Sequence, residues 1–163
     1  MKKIGLMSDT HSYLDPKIFE YFKDCDEIWH AGDFGNAGIV EELRKFKPLR
    51  GVYGNIDGPD VRVDMPEINR FTLEGLDVVI IHIGGYPGKY TLLAQKTFAE
   101  QVPGLFISGH SHILKIIFDE KNNCLHINPG AAGKHGWHTV RTLIRFNILN
   151  GTIRDCEVIE LPR

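Results

Sequence analysis

Two imidazoles stand one residue apart in Ser108-Gly109-His110-Ser111-His112, directly after the apolar run Leu105-Phe106-Ile107. Strand side chains alternate faces, so His110 and His112 share a face if the extended geometry persists. In a loop they can diverge and serve two neighbouring centres. Imidazole is a common ligand for divalent transition metals. By itself such a pair is more often two ordinary loop histidines than a site. Four other apolar runs, however, also end in ligand-type residues: one before Asp9 and His11, one before Asp33, one before Asn55 and one before His82. In open α/β sheets, sites form beyond the carboxyl ends of strands. If these strands are neighbours, two carboxylates, four imidazoles and one amide oxygen converge. That inventory suits two divalent transition metals sharing a carboxylate. Mg²⁺ alone calls for more oxygens and fewer imidazoles.

The elements that must position these residues can be read in order. Ile4 to Met7 forms a short buried strand cut off at Ser8-Asp9-Thr10-His11. Asp15-Pro16 signals a helix start, a carboxylate cap with Pro at the first position, and Ile18, Phe19 and Phe22 give that helix an apolar face. Glu27-Ile28-Trp29 is a second strand ending at Asp33. Ile39, Val40, Leu43 and Phe46 follow at helical spacing, and the helix stops before Lys47-Pro48. Leu49 to Tyr53 is a third strand, and residues 60 to 69 read as irregular. Residues 70–73 and 77–81 form a hairpin whose second strand, apolar on both faces, should be central in a sheet. A helix over 91–102 ends at Pro103-Gly104. Ile113 to Phe118 and Cys124 to Ile127 form another hairpin. Residues 139–149 and 152–161 form a last one around Asn150-Gly151.

Composition sets the class. With 163 residues, 42% hydrophobic and 25% charged, the chain reads as one globular α/β domain over 1–163. A net charge of −2 and the lack of a basic run argue against an extended nucleic-acid surface. Cys25, Cys124 and Cys156 are odd in number and lack CxxC spacing, so a disulfide scaffold and a zinc ribbon are excluded and a reducing compartment fits. The apolar run at the N-terminus is too short for a signal peptide, and no stretch is long enough to span a membrane. The expected location is cytoplasmic.

Asp9-Thr10-His11, Gly32-Asp33, Gly54-Asn55-Ile56-Asp57, His82 and Gly109-His110-Ser111-His112 together resemble the ordered signature of the calcineurin-like metallophosphoesterases. The short chain, the Asn-Ile-Asp form of the third motif and Asn128-Pro129-Gly130 are similar to the small YfcE/MJ0936-type phosphodiesterases. The match runs from Ile4 to about Gly130. It implies a four-layer αββα sandwich, two mixed β-sheets flanked by helices, with metals at one edge. It also implies Asp9, His11 and His112 on one metal, Asn55, His82 and His110 on the other, and Asp33 bridging. Asp33, Asn55 and His110 would then carry catalysis, with a bridging hydroxide as nucleophile. Two divalent ions are implied, Mn²⁺ first, with Ni²⁺, Co²⁺, Zn²⁺ or Fe²⁺ as alternatives. The implied substrate is a small phosphodiester or nucleotide-like ester; homo-oligomerisation is left open.

Three departures from the pattern matter. Ile56 stands where the wider family often places a proton-donating His. The fourth motif reads His82-Ile83-Gly84-Gly85, with an extra residue before the glycines. Ala131 replaces the usual Ser after Asn128-Pro129-Gly130. Several residues keep two readings. His30 either orients Asp33 or is a hydrogen-bonded structural histidine. Asp57 is a supporting residue or acid, or a turn residue. Lys134, His135 and His138 either touch substrate or lie in a solvated loop, and Tyr86, Lys89 and Tyr90 divide the same way. His126, alternating within a strand, reads as structural. Two rivals remain, a phosphomonoesterase or protein phosphatase and a Vps29-like interaction scaffold. Ile56 and the short chain weigh against the first, and the filled ligand positions against the second.

Overall fold

The computed structural model describes residues 1–163. The order of elements is β1 (Lys2–Met7), α1 (Lys17–Tyr21), β2 (Glu27–His30), α2 (Ala37–Phe46), β3 (Leu49–Gly51), α3 (Pro59–Arg62), β4 (Ile68–Leu73), β5 (Leu76–Ile81), α4 (Leu92–Glu100), β6 (Leu105–Ile107), β7 (Leu114–Asp119), β8 (Cys124–Pro129), β9 (Val140–Leu149) and β10 (Thr152–Pro162). They form two five-stranded sheets, ordered β10-β9-β1-β2-β3 and β4-β5-β6-β8-β7. Within the first, β1, β2 and β3 run parallel. Within the second, β5, β6 and β8 do. Both are mixed, because antiparallel β9, β10, β4 and β7 complete them.

Alternation along the strands builds the layers. Ile4, Leu6 and Trp29 from one sheet meet Val78, Ile80, Leu105, Ile107 and Ile127 from the other in a shared core. The opposite face of the first sheet, with Met7 and Ile28, packs on Ile18 of α1, on Phe22 just after it and on Ile39, Val40 and Leu43 of α2. The outer face of the second, with Val79, Ile81 and Phe106, packs on Ala94 of α4. The result is the expected αββα sandwich.

Local signals behave as their chemistry requires. The Asn36 side chain caps α2 by accepting from the Ile39 N–H at 3.3 Å. Asn150 and Gly151 have φ of 51° and 77°, the left-handed pair a two-residue hairpin turn needs. Asp15 Oδ1 accepts the Lys17 N–H at 2.9 Å, as a cap should, although the helix begins only at Lys17, with Pro16 at its threshold.

Three boundaries differ from expectation. Residues 60 to 69 are not irregular throughout, since Pro59–Arg62 is a helical turn with Pro at its start and β4 begins at Ile68. The third strand stops at Gly51, because the Tyr53 N–H goes to the Pro66 carbonyl at 3.0 Å rather than to β2. The both-face apolar strand β5 lies inside the sheet, but β6 is the central one. No helix is long and apolar enough to cross a membrane.

Candidate metal centre

The strand ends of both sheets meet at one rim of the sandwich. Loops after β1, β2 and β3 supply Asp9, His11, Asp33 and Asn55; loops after β5 and β6 supply His82, His110 and His112. Neither sheet alone could gather them.

The backbone there is strained in a specific way. Asp9, His11, Asp33, His110 and His112 have φ of 54°, 46°, 61°, 72° and 62°. Left-handed backbone costs a non-glycine residue roughly 1–2 kcal/mol. It persists only where the surroundings over-determine it. Here Asp9 N–H bonds the Gly32 carbonyl at 2.9 Å and His11 N–H bonds that of Asp33 at 3.0 Å. Those bonds turn the ligand side chains into one space. Close approach also needs glycine. A side chain at Gly32, itself at φ 103°, would collide with the His82 imidazole, and one at Gly54 with the Asp33 carboxylate.

Each carboxylate has one oxygen anchored and one presented. Asp9 Oδ2 accepts from Ser8 Oγ at 2.5 Å and from the His110 N–H at 3.1 Å. Its Oδ1 faces His112 Nε2 at 3.1 Å and His11 Nε2 at 3.6 Å. Asp33 Oδ1 accepts the Ile56 N–H at 3.1 Å, while Oδ2 faces His11 Nε2 at 3.3 Å and His82 Nε2 at 3.2 Å. Asn55 Oδ1 faces His82 Nε2 and His110 Nδ1, each at 3.0 Å. His82 Nδ1 donates to the Ala31 carbonyl at 2.7 Å, which fixes the tautomer and leaves Nε2 free for the centre.

Two groups with metal-ligand spacing result: Asp9, His11 and His112, and Asp33, His82 and His110. The residues fit divalent cations on their own chemistry. His11 Nε2 is buried with no hydrogen-bond partner, and the mixed nitrogen and oxygen set suits transition metals. Charges point the same way. The Asp33 carboxylate, then that of Asp9, lifts the His11 imidazole to about 9. Burial opposes charge on His82, but Asp33 and Asp9 still raise its pKa. Burial likewise opposes charge on Asp9 and Asp33, yet their histidine partners hold both below the usual carboxylate range. The cleft concentrates negative charge that protons or cations must balance.

The secondary candidates separate. Fully buried His30 makes no hydrogen bond to the Asp33 carboxylate; its Nδ1 accepts the Gly32 N–H at 3.1 Å and its Nε2 meets Thr10 Oγ1 at 3.1 Å. Burial drops its pKa to about 3, so it is a neutral brace for the two loops. Asp57 accepts three backbone N–H groups, those of Gly35 at 2.9 Å, Phe34 at 3.2 Å and Gly54 at 2.8 Å. It fastens the β2 and β3 loops that carry Asp33 and Asn55, which is the supporting role among the readings of that residue. His126 Nδ1 donates to the Phe106 carbonyl, 3.1 Å away, and burial lowers its pKa to about 4, in keeping with a structural role.

The 131–138 loop closes over the site. The His135 ring stacks on His11 with centroids 4.7 Å apart, and His138 stands edge-on to His112 at 5.1 Å. Lys134 instead lies over the Tyr13 ring at 4.4 Å. A cavity of about 520 Å³ opens between this loop, Asn55, Ile56 and His110–Ile113. Tyr86 lines a neighbouring cavity of about 220 Å³ that shares His110, whereas Tyr90 turns away and donates to Asp119 at 2.7 Å. Sequence reading missed Ser8, Trp137 and the Ala31 carbonyl. Ser8 precedes Asp9 and was open to notice; the fully exposed Trp137 and a backbone oxygen carry no ligand pattern.

A two-sheet α/β sandwich with a divalent-cation donor set at one rim defines a metal-dependent phosphoesterase class. The chain belongs to the calcineurin-like phosphoesterase superfamily, whose domain model matches residues 1–151. It is 32% identical over 133 residues to a probable metallophosphoesterase of Methanothermobacter thermautotrophicus, covering 78% of this chain and 76% of that one. It is 28% identical over 144 residues to Phosphodiesterase MJ0936 of Methanocaldococcus jannaschii, covering 78% and 82%. Among solved structures, an archaeal phosphodiesterase superposes with a TM-score of 0.74 at 24% identity over 98% of this chain and 99% of that one. Vps29 of Chaetomium thermophilum superposes with a TM-score of 0.75 at 17% identity over 99% and 97%. These last two likenesses are of fold.

Proposed function

We propose that the protein is a binuclear metal-dependent phosphodiesterase. Asp9, His11 and His112 would hold one cation, Asn55, His82 and His110 the other, and Asp33 would serve both. The observation that carries this reading is the position of Asp33 Oδ2, between His11 at 3.3 Å and His82 at 3.2 Å. A single oxygen placed there faces an imidazole of each group, which supports a shared ligand. Two bound cations supply charge neutralisation of the phosphate and a nucleophile from water at neutral pH. The chain's own residues supply position. Ser8 and the His110 N–H aim Asp9, the Ile56 N–H aims Asp33, and Ala31 aims His82. In-line phosphoryl transfer gains chiefly from such positioning. The diester preference is supported by the absence of a proton donor at Ile56 and by the name of the Methanocaldococcus jannaschii relative. The interaction-scaffold reading has fold likeness behind it, and the filled ligand positions weigh against it.

Hydrolysis of bis(p-nitrophenyl) phosphate should vanish in chelator and return on adding Mn²⁺, Co²⁺ or Ni²⁺. Full turnover by protein shown by elemental analysis to be metal-free would end the two-metal reading.

Ile56 sets a second expectation. A general acid is worth roughly 10²- to 10⁴-fold when the leaving group is basic. Ile56 has no proton to give, and Asp57 is taken up by three backbone donors. Rates across a diester series should therefore fall steeply as leaving-group pKa rises, with nitrophenyl esters fast and alkyl esters slow. Ile56→His should flatten the slope. A flat series in the unmodified protein means that another proton donor is at work.

A further inference from the structure

The sandwich has four sheet edges, and three are guarded. The edge strand β10 carries Arg154, Asp155, Glu157 and Glu160, a register shift between Arg154 and Glu157, and Pro162 at its end. β3 is only three residues long. β4 turns Ile68, Phe71 and Leu73 toward the cores and ties Arg70 to Asp77. Charges, bulges, prolines and short length are the usual protections against strand pairing.

β7 has none of these over its middle. It pairs only with β8, leaving its outer backbone groups free. Ile116, Ile117 and Phe118 are 42%, 44% and 52% exposed, and Ile113 just before them is 62% exposed. Such an edge is a template for another strand. The order of side chains indicates which strand. In an antiparallel pairing about a two-fold axis through Ile117, Lys115 lies opposite Asp119 of the second copy, Ile116 opposite Phe118, and Ile117 opposite itself. Every pair is complementary, and the charged pair occurs twice. Asp119 is 7% exposed and both its oxygens already accept from Tyr90 or Asn122, and Lys115 rests on the Tyr86 ring at 3.8 Å, so the pair across the axis is a charge attraction between fixed groups and not a hydrogen bond. A strand that is its own complement in sign and shape fits a closed, isologous contact.

We propose that β7 is the interface through which two copies of this chain associate, their second sheets joining edge to edge into one ten-stranded sheet.

Sedimentation equilibrium of the purified full chain tests it. The unmodified protein should be a dimer at micromolar concentration. Ile117→Lys sets two ammonium groups against each other on the axis and should raise the dissociation constant on the order of 100-fold. Lys115→Glu, which faces Asp119 and leaves the apolar residues in place, should weaken it as well. In a Cys156→Ser background, Ile117→Cys should cross-link to itself with a short bis-maleimide. A monomer at every concentration, polydisperse aggregates, a dimer indifferent to Ile117→Lys, or a dimer that fails to cross-link at position 117 would each overturn the proposal. The cross-link decides the matter even if the lysine variant does not fold.

Discussion

Asp33→Asn should lower hydrolysis of a nitrophenyl diester on the order of 10³-fold and reduce bound metal at both positions. The size follows from what the carboxylate does. Oδ1 is spent on the Ile56 N–H, and Oδ2 is the one oxygen within 3.3 Å of imidazoles from both groups. An amide at this position keeps the shape but removes the negative charge, and loss of even a single preorganised electrostatic contact typically costs about 10²- to 10³-fold. Because the residue is shared, the loss spreads to both cations. His11→Ala makes the informative comparison, since His11 belongs to one group, and it should leave the Asn55, His82 and His110 position partly filled. Metal content by elemental analysis, read beside turnover, separates the two. An Asp33→Asn protein with two equivalents of metal and normal turnover would remove Asp33 from the shared position.

The largest effect on stability is expected at Arg141. Its guanidinium is 3% exposed and bonds Asp15 Oδ2 at 2.8 Å, the Ala132 carbonyl at 3.2 Å and the Pro162 carbonyl at 2.7 Å. One side chain thus ties β9 to the start of α1, to the loop that covers the metal centre and to the end of β10. Arg141→Met keeps much of the volume but strands a buried carboxylate and two carbonyls. Breaking a buried ion pair from one side costs about 3–5 kcal/mol. For a chain of this length that lowers the melting temperature by about 6–20 °C. Calorimetry on the variant checks it; a midpoint unmoved by the substitution would show that water or a rearranged side chain replaces the guanidinium. The neighbouring surface pair of Arg145 and Glu157, with Glu157 more than half exposed, should by contrast be nearly silent.

The candidate ligands were legible because each ends an apolar run. A parallel strand buried on both faces needs an uninterrupted hydrophobic stretch, so a carboxylate or imidazole immediately after it marks the strand's end and the rim where sites form. Val78–Ile81 followed by His82 is the clearest case. Hairpins around Asn150-Gly151 were legible for a similar local reason, since left-handed turn residues are few. Short elements were not. Pro59–Arg62 is one turn long, too short for any periodicity, and β3 ends early because of a hydrogen bond from Tyr53 to Pro66, residues thirteen apart in sequence.

His30 and Asp57 show the limit more sharply. Either residue type can touch a ligand or hold a loop, and nothing local decides between them. His30, the last residue of β2, is neutral and braced because it is buried against the Phe34 ring and bonded to Thr10; Asp57 is a fastener because Phe34 and Gly35 come within reach of its carboxylate. By itself the sequence determined most of the strand pattern, the residues that end each strand and the type of ion they suit, since these follow from local chemistry and periodicity. Only the tertiary structure decided which atom of each ligand faces the centre, which buried polar groups are supports, and which sheet edge is left open. Those depend on hydrogen bonds and packing between segments far apart in the chain, such as Asp9 with His112 and Ala31 with His82.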